Sequence, residues 1–331
     1  MKNNNNNEKR KVLHEYELIS KNIVFVDGLT RTGKALLNNL LLGYNNVSSI
    51  QFINILEQLM PLYINGKMTK DGISSFLKIY FNENFYNYKL SRNINFRYDD
   101  LTSIYNHKDP KDFHKNLEKP DGDNIVDELL NDNLYFQFQT HDLLTHYSNF
   151  LDLDIDAHVL ELFRHPVDTI HSWFIRGWGT RFDQKDPRSG TTLFIYNGQA
   201  IPHYVIGHEE EYINLNEMEK CVFMHNLLLR KSISQYLKLN HTKKKKILIL
   251  KYEDLLENTE NELNKISTFL NIETSSHMLK AKLDSNVPRK ISKDSRQSKL
   301  NQIRANVNSL IFNDLISLVE SYELHFYKLN I

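Results

Sequence analysis

The chain of 331 residues carries 41 basic and 41 acidic side chains, a formal net charge of zero, with 40% apolar and 25% charged residues. That balance argues against a bulk electrostatic nucleic-acid binder and leaves room only for a local basic pocket. The lone cysteine, Cys221, excludes an intramolecular disulfide and any cysteine-cluster metal site, and no apolar run reaches the roughly 18 residues of a membrane-spanning helix.

Residues 1–12, rich in asparagine, read as a low-complexity, disordered tail without the apolar segment of a secretory signal. With a single cysteine, this suits a cytoplasmic protein. Residues 13–331 show no composition break and read as one domain. Buried strands are expected at 23–26, 135–138, 159–163 and 247–250, each a short apolar run bounded by polar residues. A helix is expected over 35–42, with Gly43 as its C′ residue. Residues 64–130 read only as loosely defined helices and loops. Helical periodicity is clear over 215–239, 254–270 and 307–327. Strands alternating with helices predict an α/β fold, a central parallel sheet flanked by helices on both faces. Residues 177–214 have little periodicity and read as a long loop of the kind that covers a binding site.

The sharpest local pattern follows the first strand. Gly28-Leu29-Thr30-Arg31-Thr32-Gly33-Lys34 has the GxxxxGK spacing of a phosphate-binding loop between a strand and a helix. Glycines let the backbone curl so that its N–H groups and the helix N-terminus face an anion. A nucleotide triphosphatase would carry Ser or Thr next, to hold magnesium; this chain has Ala35. The spacing therefore fits an anion bound without metal better than a magnesium-dependent P-loop kinase, and no His, Asp and Glu cluster has convincing metal-ligand spacing.

A second anion point follows the strand at 159–163. Arg164 would lie at that strand's carboxyl end, Pro166 would open a helix, Asp168 would sit in its first turn, and Ser172 would return to the same edge. Ligands of open parallel sheets bind at the carboxyl ends of the strands, so two anion points on one edge suggest a ligand with two separated phosphate-type groups.

These segments resemble the sulfotransferase family that uses 3′-phosphoadenosine 5′-phosphosulfate (PAPS) as donor. Residues 28–35 are similar to its 5′-phosphosulfate loop, Arg164-His-Pro-Val-Asp-Thr-Ile-His-Ser172 to its 3′-phosphate motif, and Leu250-Lys-Tyr-Glu-Asp-Leu, followed by a helix, to a third segment. The resemblance implies a P-loop-like sulfotransferase fold and sulfuryl transfer to an acceptor hydroxyl or amine on a small molecule or glycan. It implies a donor-binding set of Gly28, Arg31, Thr32, Gly33, Lys34, Ala35, Arg164 and Ser172, to which Arg289 and Lys290 add a short match on the 3′-phosphate side. Arg31 would stabilise charge on the bridging oxygen of the leaving phosphate. No metal, nucleic acid or membrane insertion is expected. The family carries two hydroxyl residues where this chain has Lys34 and Ala35, which also admits a non-catalytic binder of PAPS or its bisphosphate product.

Transfer to a hydroxyl needs a proton acceptor. His141, just after the second strand, resembles the family's strand-end histidine, with Gln139 in place of a lysine. Glu57 is the rival carboxylate base. His165, His171 and the lysines of 243–246 read as local polar contacts or solvated loop. The aromatic stretch 81–88 reads as core or acceptor lining, and Trp173 and Trp178 as core or stacking surfaces.

Overall fold

The computed structural model describes residues 13–107, 110–183 and 190–325. The tail 1–12, part of the 177–214 stretch and the last residues of the 307–327 helix lie outside these. Five strands form one parallel sheet: β1 (Ile23–Asp27), β2 (Gln51–Phe52), β3 (Phe136–Gln139), β4 (His158–Phe163) and, after the hairpin described below, β7 (Ile247–Lys251). The order across the sheet is β2-β3-β1-β4-β7.

Successive β1 residues serve two different cores, as a two-residue period demands. Ile23 and Phe25 pack with Phe81, Phe85, Phe136 and Phe138 on one face, under the long helix Lys70–Lys89. Val24 and Val26 pack with Leu37, Leu40, Leu41 and Ile266 on the other, under helices Lys34–Leu41 and Thr259–Leu270. The aromatic stretch 81–88 is thus explained by core packing: both Phe81 and Phe85 are fully buried.

All four expected strands are present. The structure departs from expectation in three places. The helix over 254–270 is two helices, Tyr252–Glu257 and Thr259–Leu270, broken at Asn258, whose backbone (φ −119°, ψ 40°) leaves the helical region. Gly43 does not adopt the left-handed conformation of a C′ glycine; its Cα faces Met278, where an added Cβ would come within 2.7 Å of Sδ. The 177–214 stretch contains an antiparallel hairpin, β5 (Leu193–Tyr196) with β6 (Gln199–Pro202), turned by Asn197 and Gly198 at φ 49° and 78°. Positive φ at both central residues is the type I′ geometry that asparagine–glycine favours.

β1 has neighbours whose connections run to opposite sides, so a crevice opens at its carboxyl end. Every strand of this sheet delivers a candidate residue there. β1 leads to the Gly28 loop, β2 to the helix Asn54–Ile64 with Glu57, β3 to His141, β4 to Arg164 and β7 to Tyr252.

Candidate active site

The Gly28 loop owes its shape to positions without side chains. Gly33 (φ 106°, ψ 17°) caps the helix Lys34–Leu41, and a Cβ there would lie 2.4 Å from the Tyr252 ring. At Gly28 (φ 135°) a Cβ would meet the Leu162 carbonyl at 2.4 Å. Both conformations are costly for any residue with a Cβ. Arg31 itself has φ 72°, a conformation that in a non-glycine residue marks a constrained site. Thr32 spends its amide (3.3 Å) and its hydroxyl (2.9 Å) on the Leu29 carbonyl, so it closes the loop internally. The amides of Gly33, Lys34 and Ala35 stand at the helix start, where no preceding helical carbonyl exists for them.

Lys34 does not reach outward. It is 4% exposed and donates to the carbonyls of Gly28 (2.5 Å) and Leu29 (2.8 Å), beneath the loop. Burial pushes its pKa down, while Asp27 and the other nearby acids pull it back up. Ala35 is exposed and brings no oxygen.

Three guanidinium groups gather at the loop's outer face. Arg31 Nε donates to Ser172 Oγ at 3.2 Å, and Arg164 Nη1 donates to the Arg31 carbonyl at 2.9 Å. Arg164 lies over the Tyr252 ring at 4.7 Å, and its Nε is buried without a hydrogen-bond partner. Burial, then the like charges of Arg176 and Arg164, push the Arg31 pKa down. The expected Arg31, Arg164 and Ser172 are therefore brought into one cluster across 141 residues of sequence. Arg176 is a member that sequence reading missed. It lies two residues past the helix Pro166–Phe174, and a helical-wheel reading from Ser172 (i, i+4) would have found it. Arg289 is placed differently: its guanidinium donates to the carbonyls of Ser285 (2.8 Å) and Asn286 (2.6 Å), at the end of helix Met278–Asp284. Lys290 follows it, exposed.

The Arg164 helix is anchored from behind. Asp168 accepts from Arg296 Nε (2.9 Å) and Lys299 Nζ (2.6 Å). Burial opposes the Asp168 charge, but Lys299 and Arg296 outweigh it and hold the carboxyl below its ordinary value. Glu253 accepts from the His165 amide and the Tyr322 hydroxyl, both at 3.0 Å. His165 and His171 make polar contacts to Glu323 and Gln302.

The two candidate bases lie in direct contact. His141 Nδ1 lies 2.6 Å from Glu57 Oε1, in a pair contributed by the ends of β3 and β2. Glu57 fixes which ring nitrogen faces it and leaves Nε2 as the other face of the imidazole. The pair lines a cavity of about 260 Å³ together with Thr30 of the loop, Asp142, Trp173 and Trp178. Trp173 Nε1 donates to the Thr30 carbonyl at 2.6 Å, tying the Arg164 helix to the loop. The site thus has an arginine-rich edge that accepts an anion and a partly aromatic cavity with a histidine–carboxylate pair, joined at residues 30–31.

A family model described as Sulfotransferase domain matches residues 95–324, more than half of the chain. The match includes His141, Arg164 and Ser172; the Gly28 loop and Glu57 precede it. No curated protein matches the chain. Among solved structures, the Sulfotransferase Domain from the Curacin Biosynthetic Pathway aligns at 12% identity and TM-score 0.47, over 90% of this chain and 97% of that one. The Sulfotransferase Domain from the Synechococcus PCC 7002 Olefin Synthase aligns at 15% and 0.44, over 95% and 98%. A sulfotransferase from Alicyclobacillus acidocaldarius aligns at 12% and 0.35, over 90% and 95%.

Proposed function

The chain belongs to the sulfotransferase domain family, and from that premise we propose that it moves a sulfuryl group from PAPS to an acceptor hydroxyl, with His141 as base. The observation that carries this reading is Arg164: a guanidinium on the Arg31 carbonyl and the Tyr252 face, with its Nε buried and unpartnered beside two other arginines. Such a group is costly unless an anion completes it. The loop's curl supports the reading as well, since at Gly28 and Gly33 a Cβ would strike the Leu162 carbonyl and the Tyr252 ring.

In this reading the amides of Gly33, Lys34 and Ala35 hold the 5′-phosphate, and Arg164 with Ser172 holds the 3′-phosphate. The donor supplies sulfur on a phosphate leaving group: the acceptor oxygen bonds to sulfur, the bridging S–O bond breaks, and its electron pair leaves with adenosine 3′,5′-bisphosphate. Arg31 stabilises the charge on that leaving oxygen. His141 Nε2 takes the hydroxyl proton, and Glu57, at Nδ1, orients the ring and stabilises the imidazolium. The cavity lined by Thr30, His141 and Trp178 receives the acceptor, a small molecule or the end of a glycan.

The test is calorimetric titration with adenosine 3′,5′-bisphosphate and with ATP plus magnesium, on wild type and Arg164→Ala. Metal-independent bisphosphate binding, lost in the variant, is expected. ATP–magnesium binding without bisphosphate binding would transfer the site to a kinase. Bisphosphate binding without turnover of any acceptor would leave a binding protein.

A further inference from the structure

The wall of the cavity beside His141 holds polar groups that sulfuryl transfer does not use. Oδ1 of Asp142 and Nε2 of His146 are both shielded from solvent and have no hydrogen-bond partner, and both residues line the cavity. His146 is only 6% exposed. Burial holds its imidazole well below the ordinary value, with Lys231 and His203 acting in the same direction. Burial likewise takes His203 down to about 3. Both rings are therefore neutral near pH 7, and each has one nitrogen that accepts a hydrogen bond. Asp142 is pushed up to about 7 by burial, against the pull of His141 and Lys34.

The charged side chains that line the cavity are acidic. Glu57 and Asp142 line it, while among the described residues neither lysine nor arginine does. Lys231 and Lys34 are nearby cations, Lys231 acting on His146 and His203 and Lys34 on Asp142, yet Oδ1 of Asp142 stays unpartnered. Trp173 and Trp178, stacked with centroids 5.7 Å apart, also line the cavity, and the Arg181 guanidinium already lies over the Trp178 ring at 5.0 Å. A buried carboxyl oxygen without a partner is costly, and an ammonium guest, with three N–H donors and a positive charge, supplies what Asp142 and His146 lack. The lining differs from the donor edge: arginines gather there, and two carboxyls face this cavity's wall.

We propose that the acceptor carries an ammonium group besides its nucleophilic hydroxyl, and that Asp142, assisted by His146 Nε2, is the residue that selects it. The proposal rests on reading this cavity as the acceptor site. It assigns Asp142 to specificity; the nucleophile itself faces His141.

The test uses two matched pairs that differ by one amine: tyramine against 4-ethylphenol, and 3-amino-1-propanol against 1-butanol. Binding of each is measured calorimetrically with and without saturating adenosine 3′,5′-bisphosphate. In wild type the amine member of at least one pair is expected to bind at least tenfold more tightly than its neutral partner. In Asp142→Asn, which keeps the side-chain shape and suits the left-handed backbone at φ 61°, that preference is expected to fall to within about twofold. Equal affinity within both pairs, no binding by either amine, or a preference that survives in Asp142→Asn would each overturn the proposal. The wild-type comparison needs no variant to fold. The bisphosphate titration reports the donor site separately, so a missing donor site and an indifferent acceptor cavity give different results.

Discussion

Replacing Gly33 by alanine tests whether the loop's geometry and the Arg164 platform are one unit. Two penalties act at this position. The backbone at φ 106° is outside the region that L-residues occupy comfortably, a strain of about 1–3 kcal/mol. The new Cβ would also sit 2.4 Å from both Cδ2 and Cε2 of Tyr252, about 1 Å inside ordinary contact. The ring has to move, an overpacking cost of about 1–3 kcal/mol. The expected loss in unfolding free energy is therefore about 2–6 kcal/mol. Because Arg164 lies over that same ring at 4.7 Å, displacing Tyr252 should also weaken bisphosphate binding.

The two penalties separate in a double-mutant cycle. Tyr252→Ala removes the clash but not the backbone strain. Urea unfolding of wild type, Gly33→Ala, Tyr252→Ala and the double variant should give a coupling of about 1–3 kcal/mol, with the double variant more stable than the sum of its parts predicts. Additive losses would refute the clash, and a Gly33→Ala protein as stable as wild type would refute the whole geometric argument.

Three further outcomes follow from the same structure. Arg164→Lys should bind bisphosphate on the order of 10–100-fold more weakly, since an ammonium cannot both donate to the Arg31 carbonyl and lie flat on Tyr252; titration calorimetry reads it. Once an acceptor is found, His141→Ala should lower kcat by about 10²–10⁴-fold, and Glu57→Ala by a smaller factor, because the ring loses its 2.6 Å partner but not its nitrogen; steady-state rates check the order. Asp168→Asn should flatten the acid limb of stability. The folded-state pKa of Asp168 lies below its ordinary value of 3.8, so the stabilisation from Lys299 and Arg296 is present above that value and fades as pH falls through the folded pKa. Melting temperatures from pH 2 to pH 6 should therefore converge between wild type and variant at the acid end, with wild type higher above about pH 4.

The parallel sheet was legible because β1, β4 and β7 are nearly continuous apolar runs, and the two main motifs because each follows such a strand directly. Other elements hid for identifiable reasons. β2 is two residues long, Gln51 and Phe52, and carries no periodicity at all. The hairpin at 193–202 was readable in principle from Asn197-Gly198, but its outward positions include an exposed Ile195, which blurs the alternation. The break at Asn258 falls in a run of six polar residues, 257–262, with apolar residues at helical spacing on either side of it. At the site, Arg164 and Ser172 could be named from spacing and Arg31 from the family resemblance, but the pairing of His141 with Glu57 depends on β2 lying beside β3, a contact across 84 residues that no local pattern encodes. Sequence spacing offers the two as alternatives, and the sheet order is what sets them side by side.

The same topology explains how Lys34 stands where a hydroxyl was expected. Asp27 and Glu161 are register partners on β1 and β4, 0% and 1% exposed. Two buried carboxyls side by side do not both ionise. Burial first, then Asp27, raises the Glu161 pKa well above its ordinary value, so Glu161 carries the proton. Asp27 accepts from Thr140 Oγ1 (2.9 Å) and the Leu144 amide (3.0 Å), which pins the chain on either side of His141 and Asp142 to the end of β1. Lys34 lies in the field of these acids and bonds inward to the loop carbonyls. Its charge is thereby committed to neutralising the interior and bracing the loop. The outward face is left to the backbone amides and to Arg31, Arg164 and Arg176. A loop built in this way has its cation below and its anion contacts above, and a hydroxyl at residue 35 is not needed to shape it.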